Sequence, residues 1–228
     1  MAKNFDQQAF NNLIIENNIV GLTRDLITFK HGRKSPTYVN WRRIADDVYL
    51  TDKLSDFVLA YLADNNIEHE SIYGIPDGGT KLATIMQYKW AKSRPDLAKG
   101  KYALAQGRKE PKEHGDPADR YFLGVPRGKT VIVEDIVTTG GSLFSGIDKL
   151  KEVGIREITV VILTDRNERR DDGQTVGEYC RNKGIAYFAM SNLLDLLPEV
   201  VEKQNADSEL KKLIEEYFEK YGERKIDL

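Results

Sequence analysis

Two stretches of this chain are apolar on both faces of an extended backbone: residues 130–133, Thr-Val-Ile-Val, and residues 158–163, Ile-Thr-Val-Val-Ile-Leu. A strand with one wet face alternates apolar and polar side chains, so a run without alternation belongs in a sheet covered on both sides. Residues 71–75, 102–105 and 185–190 give further strand candidates. Helical spacing lies between and before them. Phe5, Ala9, Phe10, Leu13 and Ile14 share one stripe over residues 5–17, and a helix beginning after Thr51 turns Leu54, Phe57, Val58, Tyr61 and Leu62 inward. Helices are also predicted over about 79–92, 141–153 and 175–182. Short apolar strands alternating with helices predict βαβ units, hence an α/β fold with a doubly wound, mainly parallel sheet flanked by helices.

Two additions complete the expected architecture. Extended segments at 26–29 and 37–41, joined by the basic turn His31-Gly32-Arg33-Lys34-Ser35-Pro36, form a small N-terminal hood. Residues 207–221 place Leu210, Leu213, Ile214, Tyr217, Phe218 and Tyr221 at three- and four-residue spacing, an amphipathic helix that needs a surface to pack on. The expectation is one domain over 1–228: N-terminal helices and hood to residue 66, a core sheet over 67–192 with a lid loop at 107–120, and C-terminal helices over 193–228.

Charge and composition remove several functions. Lys and Arg total 34 against 36 Asp and Glu, a net charge of −2, which lacks the basic excess of a nucleic-acid coat. The single cysteine, Cys180, excludes an intrachain disulfide and a multi-cysteine zinc site. No apolar run reaches the ~18 residues of a membrane span, and no apolar stretch follows Lys3 as in a signal peptide. These features predict a soluble cytoplasmic protein with neither membrane nor nucleic acid as partner.

The segment richest in chemistry is 131–142, Val-Ile-Val-Glu-Asp-Ile-Val-Thr-Thr-Gly-Gly-Ser. An apolar strand runs into two acids, and a Thr- and Gly-rich turn then opens a helix. Ligands of open α/β sheets bind beyond the carboxyl ends of strands. The first N–H groups of a helix have no internal partner and bind anions; Thr138, Thr139 and Ser142 add hydroxyls, while Gly140 and Gly141 permit close approach. One end of such a site suits a phosphate monoester. Glu134 and Asp135 suit a polyhydroxyl group or a hydrated cation. Taken alone, the same turn is also a plain helix start after a capped strand. It is neither a Walker A loop nor a Gly-x-Gly-x-x-Gly turn. Residues 107–120 form a long polar loop with two prolines and two glycines, and such loops often serve as lids. By charge alone that run is equally an ordinary solvated loop.

Residues 131–142 resemble the phosphoribosyl pyrophosphate (PRPP) motif of type I phosphoribosyltransferases. Further stretches are similar to orotate phosphoribosyltransferases in the family's own order. Arg108-Lys109-Glu110-Pro111-Lys112-Glu113-His114-Gly115 resembles the catalytic lid. Phe29-Lys30-His31-Gly32-Arg33-Lys34-Ser35-Pro36 resembles the N-terminal signature. Asp165-Arg166-Asn167-Glu168 resembles the segment after the next core strand, and residues 73–83 resemble the pyrophosphate loop.

The resemblance implies the type I fold and displacement of pyrophosphate from ribose C1 by a pyrimidine nitrogen. It implies PRPP and orotate as partners and Mg²⁺ held mainly by PRPP and water, with no direct protein metal site. It also implies a homodimer whose lid reaches the neighbouring site. Lys109 would lead the lid, joined by Arg108, Lys112 and His114. Glu134, Asp135, Thr138, Thr139, Gly140, Gly141 and Ser142 would hold the sugar phosphate. Lys30 would contact the base and pyrophosphate region, Tyr38 would lie beside the base, and Arg166 would pair with its carboxylate. Gly78 stands where many family members carry a lysine, so the cation there has either moved to Lys81 or is absent. A transferase for another base, or a non-catalytic PRPP-binding regulator, is the alternative.

Overall fold

The computed structural model describes residues 4–114 and 120–228. Its centre is a sheet of four parallel strands in the order β3 (Ser71–Gly74), β6 (Thr130–Val137), β7 (Ile158–Asp165), β8 (Ala186–Ala189). The register pairs Ile72 with Val131, Ile132 with Val160 and Ile162 with Ala189. Two smaller antiparallel pairs flank it. One is the hood, β1 (Val20–Thr28) with β2 (Lys34–Val39), whose register shifts between Leu22 and Ile27. The other is the base of the lid, β4 (Gln106–Gly107) with β5 (Phe122–Leu123).

The period of two along each strand decides what covers the sheet. Val131, Val133, Val161 and Leu163 face a core built with α1 (Gln7–Glu16), α2 (Val48–Asp64), α3 (Thr80–Lys92), α6 (Leu193–Lys203) and α7 (Ser208–Tyr221). Ile132, Val160 and Ile162 face a second core with α4 (Gly141–Glu152) and α5 (Val176–Asn182). Both faces are therefore dry, as the unbroken apolar runs require. Among the described residues no helix is long and apolar enough to cross a membrane.

Several boundaries differ from the sequence reading. Residues 102–105 form no strand. The carbonyl of Ala103 accepts from the Gln87 amide at 2.9 Å, and the short strand starts at Gln106. Helix α2 starts before Thr51, because the Asp47 carboxylate caps it by accepting from Leu50 N–H at 2.8 Å. Strand β6 continues beyond Val133 to Val137, so Glu134 and Asp135 lie within the strand; Glu134 sits opposite Ile162 and Ile136 opposite Thr164.

Helix α7 packs against β2 and β1. Just after it the chain pairs back on the segment that follows β7: Glu223 N–H donates to Asn167 O at 2.8 Å, and Arg169 N–H to Tyr221 O at 2.7 Å. Arg33 lies 4.7 Å from the Tyr221 ring centroid and bonds Glu168 at 3.3 Å. The amphipathic stripe thus covers this chain's own hood.

Phe10 has no exposed surface; it stacks on Trp41 at 5.6 Å and meets Phe5 and Phe57, each also at 5.6 Å. Phe10→Ala is expected to cost about 3–5 kcal/mol, read as a lower denaturant midpoint at unchanged slope.

Candidate active site

The carboxyl ends of β3 and β6 open on a cavity of about 280 Å³. Strand β6 supplies Glu134 and Asp135, and the turn after it supplies Thr138 and Ser142. The hood contributes Lys30 and Tyr38, and Lys109 enters from the lid. Residues more than a hundred positions apart therefore meet at one sheet edge.

Close backbone packing builds the floor. A Cβ on Gly74 would lie 2.1 Å from Gly79 O, one on Gly79 2.4 Å from Val133 O, and one on Gly78 2.3 Å from Asp135 Oδ2. Side chains at these positions would push the loop off the strand. Gly140 precedes α4 at φ 79°, in the left-handed region, and a Cβ on Gly141 would meet nothing within 4 Å. The space beside Gly141 is thus open, and the first N–H groups of a helix, which have no intrahelical partner, can meet an anion there.

The two acids are desolvated. Burial, and next the Asp135 charge, push the Glu134 carboxyl up to about 8, and its Oε2 has no hydrogen-bond partner. At neutral pH Glu134 is therefore mostly protonated and can donate as well as accept. Burial also raises Asp135; the Arg42 charge and the Ile136 N–H bond at 3.1 Å oppose that rise.

The other predicted residues are distributed as follows. Arg108 lines an adjoining opening of about 510 Å³ together with Lys109 and Lys81. Lys112 and His114 are exposed on the lid, whose backbone is tied by Arg108 N–H to Tyr121 O at 2.7 Å and Lys112 N–H to Arg120 O at 2.8 Å. Residues 115–119 of the predicted lid lie outside the described residues. Lys109 Nζ rests 3.3 Å from Asp77 of its own chain, an exposed and correspondingly weak pair. Thr139 offers its carbonyl to Arg170 at 2.6 Å. Lys81 bonds Ala45 O at 3.2 Å and does not line the cavity with Asp135.

Arg166 has no exposed surface. Its Nε donates to Glu168 at 2.7 Å, its terminal nitrogens bond Ser35 and Thr37, and the Phe29 ring covers it at 4.6 Å. Phe29 itself lines the cavity, so the guanidinium stands one ring behind the wall. The cavity also contains Asn40 and Arg42, which the sequence reading passed over. Nothing in Trp41-Arg42-Arg43 matches a phosphate or carboxylate motif; only the turn places Arg42 there.

No group of three or more His, Cys, Asp or Glu able to hold a metal occurs among the described residues. A hard cation here would find the carboxylates of Asp77, Glu134 and Asp135 on the cavity wall, not gathered into one ligand cluster.

A sequence profile described as "Phosphoribosyl transferase domain" matches residues 50–181, which puts the chain in the class of phosphoribosyltransferases. An orotate phosphoribosyltransferase of Bradyrhizobium diazoefficiens is 34% identical over 156 residues, covering 65% of this chain and 78% of that one. One from Legionella pneumophila (strain Paris) is 31% identical over 199 residues, covering 86% and 89%. The chain belongs to the orotate phosphoribosyltransferase family. The crystal structure of the Francisella tularensis enzyme superposes with a TM-score of 0.68 at 21% identity, covering 94% of this chain and 99% of that one. A Mycobacterium tuberculosis orotate phosphoribosyltransferase solved with PRPP superposes at 0.55 and 18% identity, covering 84% and 99%. These two likenesses confirm the type I architecture.

The raised Glu134 carboxyl has a stability consequence. The native state holds this proton more tightly than the unfolded chain, so stability is fully present below the ordinary carboxyl range and is lost as pH rises towards about 8. The stability of Glu134→Gln relative to the parent is therefore expected to grow from about pH 5 to about pH 8 and then level off. Denaturation at a series of pH values measures it; a difference independent of pH would contradict a buried neutral carboxyl.

Proposed function

We propose that this protein transfers the 5-phosphoribosyl group from PRPP to orotate, releasing pyrophosphate and orotidine 5′-phosphate, in de novo pyrimidine synthesis. One observation carries the assignment of roles. Lys30, Glu134, Asp135, Ser142 and Lys109 come from three separated segments, each resembling a different signature of the family, and all five line one cavity.

In this reading the 5′-phosphate docks on the turn 138–142, where Thr138, Thr139 and Ser142 hydroxyls and the α4 N-terminus supply donors. Glu134 and Asp135 grip the ribose hydroxyls. Holding the sugar by both ends orients C1 towards the base. The bond from C1 to the diphosphate loosens as positive charge grows on the ring and negative charge on the leaving group. Lys109, with Arg108, Lys112 and His114 on the same lid, meets that negative charge. The lid's weak tie to Asp77 leaves it free to close and exclude water.

Lys30 and Tyr38 border the base. Arg166 is the partner of the orotate carboxylate, since a guanidinium fork matches a carboxylate; contact requires the Phe29 ring to swing aside. The donor set suits Mg²⁺ held mainly by substrate oxygens and water: Asp135 would share it, since a protonated Glu134 is a poor cation ligand, and when bound it would add positive charge beside the diphosphate.

Residues 1–228 are read as one phosphoribosyltransferase domain of a soluble cytoplasmic enzyme, acting as a homodimer whose lid serves the neighbouring site. Exposed Leu104 and Leu123 beside the lid, Val48 and Tyr49 on α2, and Tyr88 on α3 support the dimer, as apolar surface that a second copy would cover.

Pyrophosphate release measured with orotate, uracil, adenine, hypoxanthine and xanthine, with and without Mg²⁺, tests the reading. Release is expected with orotate and Mg²⁺; preference for a base without a carboxylate would refute the substrate. PRPP binding without release on any base would instead favour a regulator. Lys109→Ala is expected to lower turnover about 100-fold or more, in line with loss of a charge acting on the transition state, while the KM for orotate changes little. Unchanged turnover would remove the lid from the chemistry.

A further inference from the structure

Three cations line the cavity: Lys30, Arg42 and Lys109. Lys109 rides on the lid and is paired with Asp77. Arg42 differs from it in mounting. It lies on the 3-10 turn Trp41–Arg43, whose start is capped by Asn40 Oδ1 accepting from Arg42 N–H at 3.2 Å. On either side the turn is anchored in the core. Trp41 is buried, stacks on Phe10 and donates its Nε1–H to Thr164 at 3.1 Å, and Ile44 is buried as well. The Arg42 side chain is exposed and enters no ion pair with a described residue. It is a solvated cation on a turn anchored in the core, and its charge opposes the burial that raises the Asp135 carboxyl, which lines the same cavity.

The opposite wall explains why a fixed cation is needed there. The pyrophosphate loop reaches Asp135 with Gly78, whose Cα lies so close that even a Cβ would meet the carboxylate. The loop can therefore present backbone N–H groups at that point but no charged side chain. Lys81, the next cation along, is turned to the Ala45 carbonyl. Without Arg42, an incoming diphosphate beside Asp135 would meet only Lys30 from the hood turn and Lys109 from the lid, both carried on loops between strands.

We infer that Arg42 is a substrate-binding residue for the diphosphate of PRPP, and that it supplies from the hood the fixed positive charge that the pyrophosphate loop lacks. The inference rests on the reading of Asp135 as the ribose-hydroxyl residue: the diphosphate on C1 is next to those hydroxyls, so the charge facing Asp135 also faces the leaving group. A guanidinium suits the task because its fork can bind two phosphate oxygens together.

Calorimetric titration of the protein with inorganic pyrophosphate and with PRPP, both in Mg²⁺ buffer, tests this without any base. Arg42→Ala is expected to weaken both at least tenfold, and Arg42→Lys to recover part of the loss. In turnover assays the KM for PRPP should rise in parallel while the KM for orotate stays within twofold. The thermal midpoint should not move, since the side chain is exposed. Pyrophosphate and PRPP affinities within twofold of the parent would overturn the inference, as would a loss confined to orotate. Failure of the parent to use orotate would refute the substrate reading and leave the Arg42 titrations to be judged on their own.

Discussion

The site depends on a buried pair of acids placed inside a parallel strand. Glu134 and Asp135 occur where β6 is still paired with β7, so their backbone positions are set by the ladder. Their side chains then have few directions open to them, because Gly78 and Gly79 bring the neighbouring loop against the strand end. Burial next to each other makes two full charges costly, and burial raises both carboxyls, Glu134 to about 8. A sugar's adjacent hydroxyls, which both donate and accept, are well matched by such a pair.

Around that fixed point the molecule distributes its cations by mobility. Lys109 is carried on a hairpin held by a few backbone bonds and an exposed ion pair. Arg42 stands on a turn pinned by a buried indole. A substrate that arrives highly charged and leaves in two pieces needs both kinds, one to receive it and one to follow the departing group.

Much of this was legible in the sequence because the physics is local. The runs 130–133 and 158–163 could only be interior strands, and the Thr-Gly turn after Asp135 could only be followed by a helix start. The lid signature put Lys109 on a polar loop, and the structure brings that residue to the cavity. What escaped is set by tertiary contact. The extended look of 102–105 was overridden when Gln87 took the Ala103 carbonyl. Arg42 had no motif, since its place comes from Trp41 docking beneath the hood. The burial of Arg166 likewise arises from Phe29, Ser35 and Thr37, which approach from more than 120 residues away.

Helix α7 and the residues after it give Arg166 an outside brace. Tyr221 lies against Arg33, Arg33 holds Glu168, and Glu168 holds Arg166, while the backbone of 221–223 is stitched to 167–169. The chain of contacts runs from the solvent face of the hood to the guanidinium behind Phe29 without any residue of α7 lining the cavity. The setting of the Arg166 guanidinium can thus drift in evolution through changes on an outlying helix, with every residue that lines the cavity left as it is.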